Sequence, residues 1–352
     1  GLLALLLGAM SAGGGAAGTL SYRDSMVLAP MVRVSNLPLR LLALDYGADL
    51  VWSEEVVAKK LAACERVWNG EAGTAEYWTR PEVEGGRTRA LFTAARERDR
   101  LVLQLGVGDA ATALSAAQVV ARDVAAFDIN CGCPKHFSTS GGMGAALLRR
   151  PETIADIVGT LKRNLNLPVS CKIRLLETEE KTVALMRTLE KAGVDALSVH
   201  CRYVPQRSRT PAHQGMLGPL VRCVGVPVIG NGDVTTYREG RAWRESSGCA
   251  GVMVARGAVE NTSCFRKEGM LPVRDVVDQH VRYCLRYDEN YQNIKFIYQR
   301  HFTQVSVPGG PLFQAVTSAR NTMEVAEVFG LGDYYKQLLS DRKAVQEGVV
   351  GA

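Results

Sequence analysis

The chain has 352 residues, 47% of them hydrophobic and 22% charged, a balance that excludes a collagenous, disordered or polytopic membrane protein. Lys and Arg number 42 against 36 Asp and Glu, a formal charge of +6; so mild an excess suits a nucleic-acid partner and an ordinary metabolic enzyme alike. Nine cysteines, an odd number without zinc-type CxxC spacing, argue against a disulfide framework or a metal site and for a reducing compartment.

Residues 1–20 stand outside the fold. The apolar run Leu2–Leu7 leads into the small-residue stretch Gly8–Gly18, too short to span a bilayer and without a preceding basic segment. It reads as a processed targeting segment or a low-complexity tail. The protein is accordingly expected in the cytoplasm, or in an organelle if the tail is a targeting segment, with no membrane anchor.

From Ser25 onward short apolar strands alternate with helix-length amphipathic stretches. Strands are predicted over Met26–Pro30, Leu50–Ser53, Leu101–Gln104, Ala126–Ile129, Val169–Ile173, Ala196–Val199, Val226–Gly230 and Gly251–Val254, apolar enough to be covered on both faces. Helices are predicted over Leu37–Tyr46, Ala110–Arg122, Thr153–Leu165 and Lys181–Ala192, and Gly47, Gly193 and Gly225 fall where C-caps belong. This is the repeat of an α/β chain folded as a (β/α)8 TIM barrel, with a doubly wound open sheet as the rival. The barrel is assigned to residues 21–265. Beyond it Val273–Tyr287, Tyr291–Phe302, Leu312–Thr317 and Val325–Phe329 read as helices with no strand between them. Residues 266–345 are therefore expected to form a small C-terminal α-helical domain; the last dozen residues carry no strong pattern.

A barrel places its functional residues just past the C-terminal ends of its strands. There the sequence has Pro30-Met31, Glu54-Glu55, Gln104, Asn130, Lys172 with Arg174, His200 with Arg202, Asn231-Gly232-Asp233 and Ala255-Arg256-Gly257. All eight predicted ends carry polar or special residues, which implies one shared site. The last two clusters combine small residues with a cation, as a phosphate site after strands seven and eight requires. The segment Asn130-Cys131-Gly132-Cys133-Pro134-Lys135, followed by Ser138–Gly144, places a thiol at a strand end before a glycine- and serine-rich loop. That suits a reactive group on a lid. Cys131 is the expected buried member of the pair.

These residues resemble a family. Leu28-Ala29-Pro30-Met31, Asn130-x-Gly132-Cys133-Pro134, Gly141–Leu148, Cys171-Lys172-Ile173-Arg174, Val199-His200, Asn231-Gly232 and Val254-Ala255-Arg256 resemble the flavin-dependent tRNA-dihydrouridine synthases, most nearly the eukaryotic branch acting on position 20 of the D-loop. The resemblance implies FMN as cofactor, NADPH as reductant, tRNA as substrate, and uridine reduction to 5,6-dihydrouridine by a monomer. By resemblance Pro30, Met31 and Val32 line the flavin ring, Gln104 and Lys172 bond its polar edge, and His200 sits beside it. Asn231, Gly232, Asp233, Ala255 and Arg256 hold its phosphate, Cys133 is the catalytic acid, Asn130 and Arg202 approach the uracil, and residues 266–345 bind tRNA. Rim cations Arg149, Arg150, Arg207, Arg209, Lys295, Arg300 and Arg320 are candidate phosphate contacts. Three features depart from the family: Cys131 replaces a frequent Met, Cys201 replaces a common Gly, and no double-stranded-RNA-binding domain follows the helical one. Affinity for tRNA is then expected from the barrel rim and helical domain, or from a part beyond this chain. The alternative reading is an FMN barrel oxidoreductase acting on a free pyrimidine or another small molecule.

Overall fold

The computed structural model describes residues 20–346 apart from residues 71, 83–86 and 303–304; the tail expected over residues 1–20 lies, residue 20 aside, outside the described residues. Twelve strands follow in chain order: β1 Ser25–Leu28, β2 Leu50–Trp52, β3 Val56–Val57, β4 Cys64–Asn69, β5 Thr74–Thr79, β6 Arg89–Ala94, β7 Leu101–Gly106, β8 Ala126–Asn130, β9 Val169–Leu175, β10 Ala196–Tyr203, β11 Val228–Asn231 and β12 Gly251–Val254. The main sheet runs β2-β1-β12-β11-β10-β9-β8-β7-β3, and a β2–β7 pairing closes it. Its registers are parallel throughout. This is a TIM barrel, with β2 and β3 as two pieces of one stave along β7; the open-sheet rival is excluded.

The barrel's strands read as continuous apolar runs because each face is buried, but the two faces differ. Val27, Leu50, Trp52, Val102, Ala126, Ala196, Ile229 and Met253 fill the barrel interior, whereas Met26, Leu28, Val51, Leu101, Leu103, Phe127, Leu197, Val252 and Val254 pack outward under the helices. Side chains alternate along a strand. Continuing the inward set towards the C-terminal ends therefore gives Gln104, Asp128, Asn130, Lys172, His200 and Asn231. The polar residues are the upper layers of the interior column.

Helix ends follow local chemistry. Asn36 caps the helix Leu37–Asp45 by accepting from the Leu39 N–H. Gly47 and Gly193 end their helices at φ 97° and 94°, as C-cap glycines do. Gly225 is not among the left-handed residues; its N–H instead donates to Glu190.

Two expectations need correction. No element is predicted over residues 54–100, yet β4, β5 and β6 form an antiparallel sheet of their own. Its apolar runs are two or three residues long between polar ones, and only a few residues, such as Ala75, Tyr77 and Leu91, are buried. The last dozen residues also lack a pattern because the helix Gly332–Gln346 running into them is polar on most sides, with Tyr335 and the preceding Leu331 anchoring it. With Val273–Arg286, Tyr291–Arg300, Pro311–Ser318 and Thr322–Val328 it packs around a second core of Val281, Leu285, Ile294, Tyr298, Phe302 and Val325. Arg33 joins this unit to the barrel: its Nε donates to Asn293 at 3.1 Å and its guanidinium lies 4.0 Å from the Phe296 ring centroid.

Candidate active site

Every residue expected at the site lines one cavity of about 510 Å³ at the C-terminal end of the barrel: Pro30, Met31, Val32, Gln104, Asn130, Cys133, Lys172, His200, Arg202, Asn231, Gly232, Asp233, Ala255 and Arg256. The inward alternation accounts for this assembly. Each strand contributes its uppermost interior position, and the following loop adds the next one.

The middle layer is a hydrogen-bonded row. Gln104 Nε2 donates to Asp128 Oδ2 at 2.8 Å, and Ser170 Oγ donates to Asp128 Oδ1 at 2.6 Å. Burial pushes the Asp128 carboxyl up to about 6, against these two donors and the Lys172 charge. Above it Lys172 Nζ donates to Asn231 Oδ1 at 3.1 Å, while Asn231 Nδ2 donates to the Met253 carbonyl at 2.9 Å. Burial, with Arg174 nearby, draws the Lys172 ammonium down to about 8. Arg174 falls to about 10 through burial and the neighbouring Arg207 and Arg202. His200 is pushed far below its ordinary range by burial, then by Lys172, Arg174, Arg202 and Arg256. It is a neutral imidazole whose Nε2 lies 3.0 Å from Arg202 Nη1, so Nε2 accepts and Nδ1 carries the proton.

Cys133 is half-buried, while Cys131 is fully buried, as expected. Asn130 Oδ1 accepts from the backbone N–H of both Gly132 and Cys133 at 3.0 Å. The first turn after β8 is thereby fixed. The glycine- and serine-rich loop returns to the same point: the Ala145 N–H donates to the Cys133 carbonyl at 2.8 Å and Met143 N–H to the Ser138 carbonyl at 3.1 Å. Burial pushes the Cys133 thiol up, the Glu55 charge acts the same way, and Lys135 and Ser138 oppose them. The sulfur is a protonated thiol at neutral pH.

The wall expected to face a phosphate offers the bare backbone such a group needs. Gly232 has φ 153°, and a Cβ there would come within 2.7 Å of Ala212 Cβ. Arg256 supplies a half-exposed cation. The cavity and these donors fit a phosphorylated, ring-bearing cofactor. Asp233, expected beside that phosphate, lines the same wall of the cavity. It is ion-paired with Arg202 and Arg256 and accepts from the Ala212 N–H at 2.7 Å. Arg202, expected near the uracil, is buried, with its donors directed at Thr210, His200 and Asp233.

Phe296 and His301, which carry no strand-end signal in the sequence, also line the cavity, from the helical segment. Their rings are 5.7 Å apart and edge-on. The pattern over Tyr291–Phe302 gives no sign of this, because an aromatic at helical spacing looks the same whether it faces a core or a cleft. Glu55, Lys135, Arg174 and Arg207 also line the wall; as strand-end, loop or rim residues they carried a signal but no assigned contact. Among the described residues no cluster could hold a metal ion, and no helix is long and apolar enough to cross a membrane.

The fold is a TIM barrel whose C-terminal strand ends bring a thiol, two cations with depressed pKa values and bare glycine backbone to one cavity. Residues 27–295 match the profile of the family described as dihydrouridine synthase (Dus), and the chain belongs to that family. It is similar to the Schizosaccharomyces pombe tRNA-dihydrouridine(20) synthase [NAD(P)+], 41% identical over 290 residues covering 79% of this chain and 60% of that one. The Saccharomyces cerevisiae protein of the same name is 34% identical over 350 residues, covering 92% of this chain and 86% of the relative. The S. pombe tRNA-dihydrouridine(20a/20b) synthase [NAD(P)+] is 33% identical over 246 residues and covers 69% of each chain. The chain thus spans 60% of the length of the first of these relatives.

Proposed function

We propose that this chain reduces a uridine of tRNA to 5,6-dihydrouridine, at position 20 of the D-loop, with FMN in the cavity and NADPH as its reductant. The observation that carries the proposal is the Cys133 thiol, held by Asn130 in the same cavity as Lys172, His200 and Arg256. The two relatives named for position 20 support that site over 20a/20b by their coverage of this chain, 79% and 92% against 69%.

Gln104 and Lys172 would hold the polar edge of the flavin, His200 its flank, and Gly232 with Arg256 its phosphate. A reduced flavin supplies hydride chemistry. The residues do the rest. The uracil C5=C6 bond is conjugated to a carbonyl, so reduction at C6 puts negative charge on C5 and O4. Lys172 and Arg174, both charged at neutral pH, are placed to stabilise that charge as oxyanion donors do. Cys133 gives its S–H proton to C5 and is left as thiolate. A thiol whose pKa is raised is suited to this task, whereas a nucleophilic cysteine needs the opposite shift. A D-loop base is already partly unpaired, so extruding it costs little.

Cys133→Ala is the test. Turnover of unmodified tRNA is expected to fall at least about a hundredfold, the scale of losing a general acid, while the yellow colour of bound flavin persists. Undiminished turnover would place the acid elsewhere.

A further inference from the structure

One half-buried acid in the cavity wall has no part in that scheme. Trp52 pairs with Val102, and Val56 with Leu105. Ser53, Glu54 and Glu55 therefore stand opposite only Leu103 and Gln104. The extra residue is a bulge in the second stave, a device that re-aims side chains next to active sites. It turns Glu55 into the cavity wall. The neighbouring stave leaves room for it: a Cβ on Gly106 would lie 2.5 Å from Glu55 Oε1. From the other side Ser138 Oγ, fully buried on the loop after Cys133, donates to that oxygen at 3.0 Å. Glu55 Oε2 is buried and has no hydrogen-bond partner among the described residues, which is costly unless a donor reaches it.

We infer that Glu55 is a positioning residue for Cys133: its carboxylate accepts the S–H hydrogen bond, keeping the sulfur protonated and directed into the cavity. The inference rests on the reading of Cys133 as proton source, and gives that reading its missing support. Hydrogen bonding from Ser138 favours the charged form of Glu55 against the burial that pushes its carboxyl up. The groups facing the sulfur are Glu55 from the bulge, Lys135 from the loop, Lys172 and Arg174 from β9. Three are cations, which stabilise a thiolate. Glu55 is the only anion among the four, and an anion stabilises the thiol.

The test is the pH dependence of iodoacetamide labelling in the flavin-loaded protein, read on the Cys133 peptide. Glu55→Gln removes the negative charge and leaves the three cations, so the labelling midpoint is expected to fall by about one pH unit, with roughly tenfold more thiolate below it. The alkaline limb of kcat should move down by a similar amount, while KM for tRNA stays within about twofold. Ser138→Ala removes the loop anchor, and a hydrogen bond that lowers the thiol, but not the charge, so the midpoint should not fall. If Glu55→Gln does not fold, Glu55→Asp is expected to lower the midpoint by a smaller amount, its carboxylate being drawn back from the sulfur. An unchanged midpoint in the Glu55 variants, or the full shift in Ser138→Ala, overturns the inference. Cys133→Ala turnover judges the acid itself, because labelling reports the Glu55 contact whether or not Cys133 is catalytic.

Discussion

Lys172 donates from Nζ to Asn231 Oδ1 at 3.1 Å, reaching from β9 across β10 to β11. The bond fixes the ammonium at the centre of the barrel mouth, and burial brings its pKa to about 8. The folded-state value is depressed, so the charged form is held at a cost that disappears as pH rises past it. A bound acceptor edge of the flavin ring that takes a hydrogen bond from the ammonium opposes that preference and favours the proton. Flavin affinity of the apoprotein is therefore expected to be level below about pH 8 and to fall by up to about tenfold per unit above it. Lys172→Met should bind more weakly at neutral pH and lose the dependence. Fluorescence titration between pH 6.5 and 9.5 decides; a level wild-type profile would exclude Lys172 as the group recognising the flavin.

Arg256 shares its guanidinium with Asp233 and keeps a side-chain exposure of 53%. An exposed, already paired cation contributes less than a buried one, and the Gly232 backbone remains in its absence. Arg256→Ala is accordingly expected to weaken FMN about tenfold, near 1.4 kcal/mol, leaving protein that is partly coloured on purification. Wild-type affinity in this variant would move the phosphate away from Arg256.

The barrel was legible because parallel strands covered on both faces announce themselves as apolar runs, and helix caps such as Gly47 and Gly193 punctuate them. The candidate site was legible for the same reason in reverse: Lys172, His200 and Asn231 interrupt runs that should stay apolar. What the sequence withheld depends on distance along the chain. Phe296 reaches the cavity from a separate helical unit, and Glu55 owes its direction to a register irregularity against β7. No pattern within either segment encodes those partners. The pairing of Asp233 with Arg202, 31 residues apart, is hidden in the same way.

Arg40 shows how such hidden pairs bear on stability. It is 1% exposed within the helix Leu37–Asp45, and its guanidinium meets Glu97 at 2.8 and 2.7 Å, the Ser35 carbonyl at 2.8 Å and the Phe92 carbonyl at 2.8 Å. The pair ties the turn that follows β6 to the barrel's first helix. Removing one partner strands a buried charge, whereas removing both removes the problem. Arg40→Ala is expected to lose about 3–5 kcal/mol, and Arg40→Met combined with Glu97→Leu distinctly less. Urea denaturation of the three proteins checks this; equal losses in the single and double variants would show that packing, not the stranded Glu97, sets the cost.

The expected rim cations divide by their environment. Arg149, Arg150, Arg207, Arg209, Arg300 and Arg320 are exposed, and Arg207 also borders the cavity. Lys295 is different: its Nζ donates to the carbonyls of Thr317 at 2.7 Å and Ala319 at 2.6 Å, so it holds the end of a helix within its own unit. If tRNA binds as proposed, affinity should fall steeply with salt through counterion release, and each phosphate-contacting arginine replaced by Gln should reduce the log–log slope by about one. Arg207→Gln and Arg300→Gln are expected to do so. Lys295→Gln should lower the melting temperature and leave the slope intact. A slope that drops for Lys295→Gln but not for the arginines would relocate the RNA path away from the barrel mouth.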